Sequence, residues 1–240
     1  MGRPKKTDRK RAKASEALNS EVLSVTWTGT GKLVMNRGDM ADPLDRYAIA
    51  TKIARAAWKE QKSDELEIAY ARTQFEGALY LSDTLGVCIP TDIIDACISK
   101  AARKLYKSQY IRGGYLVTGV DSEASVVNDA EVKLRYPGEQ DPKRLFDHPE
   151  FRFRKSVVID DSRIAKVRPC FHGWSIHFQL IIQPEFVANL ELFEEIMVFA
   201  GRFYGLGDWI TKYGKFTVTI DSVNGAALNA ETGLEEEALV

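Results

Sequence analysis

The sequence predicts an α+β fold, a ferredoxin-like β-α-β-β-α-β core with a helical insertion and an accessory β-hairpin. Three observations lead there. Residues 174–183 alternate, with Trp174, Ile176, Phe178, Leu180 and Ile182 on one face and Ser175, His177, Gln179, Ile181 and Gln183 on the other. Ile94, Cys97, Ile98, Ala101 and Leu105 recur at helical spacing across 91–107. The order strand 174–183, helix 187–202, strand 214–220 is one half of the plan; strand 21–28, helix 91–107 and strand 151–159 supply the other.

The elements follow in order. Residues 1–19 read as a disordered tail, because seven basic residues against Asp8 over Met1–Lys13 leave a net of +6 and little apolar surface to bury. Val22, Leu23, Val25 and Trp27 form the first strand, ended by Gly29 and Gly31. Leu33–Met35 is a short extended piece. Asp42-Pro43 reads as N-cap and first helical residue of a helix over 43–61, with Ile49, Ile53, Ala56 and Ala57 on its apolar face. Ser63 and Asp64 open a second helix, 64–73, and Phe75–Leu81 looks extended. These make an insertion over about 40–90 within a core spanning 20–221. Pro90-Thr91-Asp92 opens the helix 91–107. Short strands within about 114–136 form the accessory hairpin, and Pro137–Pro149 is loop. Strands 151–159 and 163–168 are joined at Asp160-Asp161-Ser162, and Pro184 ends the strand 174–183. Residues 222–240 form an acidic C-terminal tail of net −4.

Composition narrows the function classes. The net charge is −1, with 33 Lys and Arg against 34 Asp and Glu, so a uniformly basic nucleic-acid coat is excluded and only local placement of charge is informative. Three cysteines, Cys88, Cys97 and Cys170, make no disulfide framework and point to a reducing, cytoplasmic compartment. No apolar run approaches the ~18 residues of a membrane span, and the N-terminus has no secretory pattern.

Two basic patches carry the chemistry. On helix 91–107, Lys100, Arg103, Lys104 and Lys107 stack opposite the apolar face, and Tyr106, Tyr110, Arg112 and Tyr115 continue the stretch. Ammonium and guanidinium groups neutralise phosphates, and tyrosine rings offer stacking surfaces to unpaired bases. The second patch is Arg152, Arg154, Lys155, Arg163, Lys166 and Arg168. Arg152 and Arg154 share a strand face, which beside Ser175, His177 and Gln179 would suit an extended strand of nucleic acid. The bland alternatives are a solvated helix face and an edge strand protected by charge.

Other constellations are weak. The glycines of Gly201-Arg202-Phe203-Tyr204-Gly205-Leu206-Gly207 follow a helix C-terminus, the wrong end for phosphate capture, so they read as a C-cap and tight turn. Cys170-x-His172 with His177 lacks the second close pair of a zinc site, and the adjacent carboxylates of Asp160-Asp161 diverge. There is no Gly-x-Ser-x-Gly elbow and no His-Glu-x-x-His helix. The sequence therefore predicts no catalytic residue, no metal and no cofactor.

The run Arg168-Pro169-x-Phe171-x-x-Trp174, then Ala200-Gly201-x-x-x-Gly205-Leu206-Gly207-Asp208-Trp209 and Tyr213-Gly214-Lys215-Phe216, resembles proteins common in bacteriophage genomes. Phe75-Glu76-Gly77-Ala78-Leu79-Tyr80 and Ile89-Pro90 fit the same layout. Those proteins are similar in layout to the RAMP superfamily, which includes the backbone subunit of CRISPR effector complexes. The resemblance implies an RRM-like core, single-stranded RNA or DNA as partner, assembly as an oligomer or filament along the strand, and the host bacterial cytoplasm. The single-strand-binding reading itself takes Trp209, in the glycine-rich connection, as a stacking residue beside the tyrosines. Two departures stand out: Asp208, Trp209 and Ile210 occupy a loop that is often basic in the superfamily, and the RRM aromatic motif is matched only by a partial echo at Lys212–Phe216. The expected function is thus non-catalytic binding of single-stranded nucleic acid. The alternative is a phage structural or host-defence-inhibiting protein that binds other proteins, with Trp27, Trp58 and Trp209 as anchors.

Overall fold

The strand Glu21–Gly29 (β1) buries Leu23, Val25 and Trp27 completely and turns Ser24, Thr26 and Thr28 the other way, as its alternation requires. The computed structural model to which it belongs describes residues 20–107, 111, 114–121, 126–128, 130–159, 162–183 and 190–227. The tail 1–19 and residues 228–240 lie outside the described residues.

After the two-residue strand Leu33–Val34 (β2), a 3-10 turn at Gly38–Ala41 leads to helix Arg46–Gln61 (α1). Asp45 caps α1, accepting from the amides of Tyr47 and Ala48, and is held 2.6 Å from Arg37. This displaces the expected start at Asp42-Pro43; Asp42 instead accepts from the Leu44 amide within a turn. The expected apolar face of α1 is also corrected. The helix buries no residue, and Ile49 and Ile53 are 43% and 64% exposed, because α1 rests on a second helix rather than on the core. That helix, Asp64–Ala78 (α2), is capped by Ser63 and runs past the expected end at 73. Phe75 and Ala78 enter the core, which holds the last turn helical where an extended segment was expected.

The insertion then returns to the sheet through Leu81–Ser82 (β3) and Gly86–Pro90 (β4). Helix Thr91–Lys104 (α3) follows, with Ile94, Cys97, Ile98 and Ala101 buried. It stops three residues early because Tyr106 takes a positive φ of 59° and the Lys107 amide closes onto the Ala102 carbonyl. Next come Tyr115–Asp121 (β5), Val126–Asn128 (β6), Glu131–Arg135 (β7), Arg152–Ile159 (β8), Ser162–Phe171 (β9) and Ser175–Ile182 (β10). Helix Leu190–Phe199 (α4), strand Phe216–Val223 (β11) and the short Ala226–Ala227 (β12) complete the described chain.

The larger sheet has nine strands in the path β12-β11-β1-β10-β7-β4-β3, with β5 also on β10 and β6 on β5; all its pairings are antiparallel. The fold is therefore mixed α+β with an antiparallel sheet. Its core lies between one sheet face and the helices α3 and α4, where Trp27 stacks on Phe216 with centroids 4.0 Å apart. A second sheet of three strands has the order β2-β9-β8.

That second sheet overturns one expectation. Residues 152–159 do not lie beside 174–183. They pair with β9 through a two-residue connection, Ile159 opposite Ser162, while both edges of β10 are already taken by β1 on one side and β5 and β7 on the other. The strands within 114–136 are correspondingly more than an accessory hairpin, because β5 and β7 are main-sheet strands. The C-terminal tail is shorter than expected as well: Ser222 and Val223 pair with Ala227 and Ala226.

Candidate nucleic-acid interface

The end of α4 builds the scaffold. Its last residues continue as a wide turn, Ala200–Tyr204, closed by the Gly205 amide on the Ala200 carbonyl. Gly205 has a φ of +78°, so the expected C-cap is present. The Lys215 ammonium then donates to the carbonyls of Phe203, Tyr204 and Ile210 at 2.7, 3.1 and 2.6 Å, supplying partners that a helix end otherwise lacks. Burial lowers the pKa of this lysine from its ordinary value. The loop is sewn to the segment after β1: the Asp208 amide donates to Val34 and the Gly214 amide to Lys32. A Cβ on Gly214, whose φ is +71°, would lie 1.8 Å from the Leu206 carbonyl oxygen, so only glycine fits. Held at both ends, the loop presents Asp208, Trp209 and Tyr213.

The β8–β9 hairpin comes up against this loop. Phe153 is opposite Arg168 and Lys155 opposite Lys166, which puts these four side chains on one face. The Phe153 ring lies 5.3 Å from Trp209 and 5.2 Å from Tyr213, centroid to centroid. Cations ring the three aromatics. Lys155 Nζ is 4.8 Å and Arg168 Cζ 5.3 Å from the Trp209 centroid, Lys32 Nζ is 5.3 Å from Phe153, and Lys212 Nζ is 5.7 Å from Tyr213. Asp208 is the carboxylate of this group, 3.1 Å from Arg168 Nε. Arg168 also donates to the Asn36 side chain.

Two cavities of about 280 Å³ each flank the Arg168–Asn36 contact. One lies between α1, α2 and β9 and receives Lys166 and Arg168. Burial, reinforced by the charges of Arg168 and Arg55, lowers the pKa of Lys166. The other is lined by Lys100 together with Asn36, Gly207 and Ile210. Lys100 and Arg168 thus line neighbouring hollows on either side of Asn36.

The remaining predicted residues divide. Arg103 and Lys104 are exposed and have no ion pair among the described residues. Lys107 is paired with Glu195 of α4. Arg152 and Arg154 sit on the opposite face of the hairpin from Trp209: Arg152 lies 5.4 Å over Phe146, and Arg154 is 2.5 Å from Glu67. The expected sheet face of Arg152 and Arg154 beside Ser175, His177 and Gln179 is therefore not formed, because the two groups belong to different sheets. Arg163 lies in β9 opposite Val158; its side chain, Tyr110, Arg112 and the Asp160-Asp161 turn lie outside the described residues.

His177 projects from the outer face of the main sheet. Its Nε2 is 3.1 Å from Ser24 Oγ, and its Nδ1 is 3.0 Å from Thr26 Oγ1 and 3.3 Å from Asp221 Oδ2. Asp221 reaches it as the unpaired residue of a bulge against Ser24 and Val25. Tyr115 is no stacking surface: it packs 5.0 Å from Phe193, and its hydroxyl donates to Asp95 at 2.5 Å. Trp27, one of the anchors in the protein-binding alternative, is wholly buried.

Cys170 is buried with its thiol donating to the Glu150 carbonyl, whereas His172 is exposed. Burial pushes the Cys170 thiol up to about 11 and those of Cys88 and Cys97 up to about 12. Among the described residues no helix is long and apolar enough to cross a membrane.

Phe153, Lys32, Lys212 and Tyr213 join this surface without having been predicted as site residues, and Lys155, expected only as a member of the second basic patch, stands directly over Trp209. A signal for Phe153, and for the placement of Lys155, was available. With a two-residue connection at 160–161, counting back from Lys166 and Arg168 gives Lys155 and Phe153 as their partners. The chain matches no family model and no curated protein.

Proposed function

We propose that this protein binds single-stranded nucleic acid, without catalysis, on the surface formed by Phe153, Trp209 and Tyr213 and their surrounding cations. The observation that carries the reading is the composition of that surface: the Phe153 ring in contact with both Trp209 and Tyr213, the three ringed by Lys32, Lys155, Arg168 and Lys212, with Asp208 as their carboxylate. Bases stack on rings whatever their sequence, and cations track the backbone. Lys100 continues the basic surface past Asn36, and Arg103 and Lys104 extend it along α3.

The order β11-β1-β10-β5, with α3 between β1 and β5 and α4 between β10 and β11, supports a ferredoxin-like, RRM-like core in which β5 fills the position first given to residues 151–159. The likeness to the RAMP superfamily and a phage origin, drawn from the sequence resemblance, are part of the same proposal. The exposed Leu44, Ile49 and Ile53 around α1 favour self-association along the strand and also suit the second reading, a protein-binding role. Fluorescence anisotropy with a labelled single-stranded 12-mer tests the proposal. Binding should be salt-dependent and lost in the Lys32→Gln/Lys155→Gln/Lys212→Gln variant. A folded parent protein that binds neither RNA nor DNA at low salt, yet forms a discrete oligomer, would favour the second reading.

A further inference from the structure

Beside the aromatic surface lies a cavity whose charge is not balanced. Lys52 and Arg55, one turn apart on α1, enter from one side; Lys166 and Arg168 enter from β9. The remaining wall is neutral, including Asn36, Thr51, Tyr70 and Gln74, and no carboxylate lines it. Asp208 balances Arg168 from outside. Among the described residues, Lys52, Arg55 and Lys166 have no carboxylate within 4 Å. Inside the same wall, Arg55 Nε and Thr51 Oγ1 are buried with no hydrogen-bond partner.

Such a wall is costly to the protein standing alone. Like charges repel, and buried donors without acceptors lose the hydration that they had in the unfolded chain. Arrangements of this kind, breaking several packing rules at one place, mark a site shaped for something else.

We infer that the cavity between α1, α2 and β9 binds a phosphate monoester group. A monoester carries about −1.5 to −2 charges at pH 7 and three acceptor oxygens. It offsets the unpaired cations and accepts from the two donors that lack partners. Arg55 is suited to the task because a guanidinium meets phosphate through two parallel donors. The volume of about 280 Å³ stands at the lower end of small-molecule sites, which suits a phosphate with its sugar rather than an extended polyphosphate. Tyr70 forms part of the wall and is backed by Trp58 at 5.9 Å, so a flat aromatic surface adjoins the charges.

Two sources present this chemistry: the terminal phosphate of a strand lying over Trp209, and a free mononucleotide. The first rests on the function proposed above, since Arg168 lines the cavity and also faces Trp209. The second does not.

The test uses the full chain and two kinds of probe. Uridine 5′-monophosphate and uridine are compared by thermal shift, and 12-mers with and without a 5′- or 3′-terminal phosphate are compared by anisotropy. Arg55→Gln and Lys52→Gln serve as variants, since neither touches the aromatic surface. For the strand-end source, the phosphorylated strand should bind about ten- to a hundredfold tighter than its unphosphorylated twin, the range of charge-assisted hydrogen bonds. For the free-ligand source, the monophosphate should raise Tm and uridine should not.

In either case Arg55→Gln should abolish the discrimination while its own ligand-free Tm equals or exceeds the parent's, because a repulsion has been removed. A purely structural Arg55 would lower it. Should Arg55→Gln fail to fold, the inference loses its claim about Arg55, and the exposed Lys52→Gln decides whether the cavity discriminates. Equal binding of all three strands together with no response to the monophosphate overturns the cavity and leaves the aromatic interface standing. A response to the monophosphate with no strand binding overturns the interface and leaves the cavity standing.

Discussion

Replacing Trp209 with alanine separates stacking from charge. The ring touches Phe153 and lies under Lys155 and Arg168, so its loss removes a base-stacking platform while leaving every cation in place. Stacking on an aromatic side chain is worth about 1–3 kcal/mol per base, so affinity should fall roughly five- to 150-fold. The salt dependence should not change. Lys32, Lys155 and Lys212 have no ion pair among the described residues, and Arg168 is part-neutralised by Asp208, so on the proposed reading the cations around the rings would engage three to four phosphates. For single strands that gives a log–log slope of about −2 to −3, or about a 20- to 50-fold loss of affinity from roughly 50 to 200 mM salt. Lys155→Gln should do the converse and reduce the steepness by about 0.7. Anisotropy titrations at four salt concentrations measure both quantities, with circular dichroism to verify that each variant is folded. A folded Trp209→Ala variant that binds as tightly as the parent refutes the stacking role. One that flattens the salt dependence while keeping its low-salt affinity refutes the division of labour between rings and cations.

Three further outcomes are expected. Gly214→Ala forces a Cβ against the Leu206 carbonyl at positive φ, so it should lower stability by about 2 kcal/mol or more in urea unfolding and weaken strand binding with it. Lys107→Gln breaks an exposed ion pair with Glu195 and should change stability by under about 1 kcal/mol and binding by less than about twofold, measured by the same assays. Lys166 has its pKa lowered by burial and by Arg168 and Arg55, so the native state sheds this proton before the unfolded chain does. Its destabilising contribution is complete below the folded pKa and fades as pH rises toward the ordinary lysine value of 10.5. The stability of the parent relative to Lys166→Met should therefore climb with pH in that alkaline window. Taking the difference cancels the opposing effect of the three buried thiols, and a flat difference curve would contradict the burial of this charge.

Local periodicity made the best-packed elements legible. Strand 174–183 is found at Ser175–Ile182 and helix 91–107 at Thr91–Lys104, because both have one face in the core and one outside. Partner choice was not legible. Residues 115–121 and 152–159 are both short and rich in β-formers, and which one borders β10 depends on contacts some sixty residues apart and on the two-residue connection that commits β8 to β9. Helix α1 misled for another reason: Ile49 and Ile53 keep the spacing of a core face while facing solvent. The candidate site was legible in part. Arg168, Lys166, Lys155 and Trp209 come together as singled out, whereas the parity of a strand turns Arg152 and Arg154 away and brings in Phe153. The cations of α1 that face Lys166 could be found only once the insertion had been folded back onto β9.

The most direct measurement is photocrosslinking of a 4-thiouridine or halogenated single strand to the full chain, followed by mapping of the joined peptides. Adducts are predicted on Phe153, Trp209 and Tyr213, with flanking peptides from Lys155–Arg168. Adducts confined to the outer sheet face around His177, or a complete set of crosslinked peptides in which none of those three rings is represented, would contradict the account.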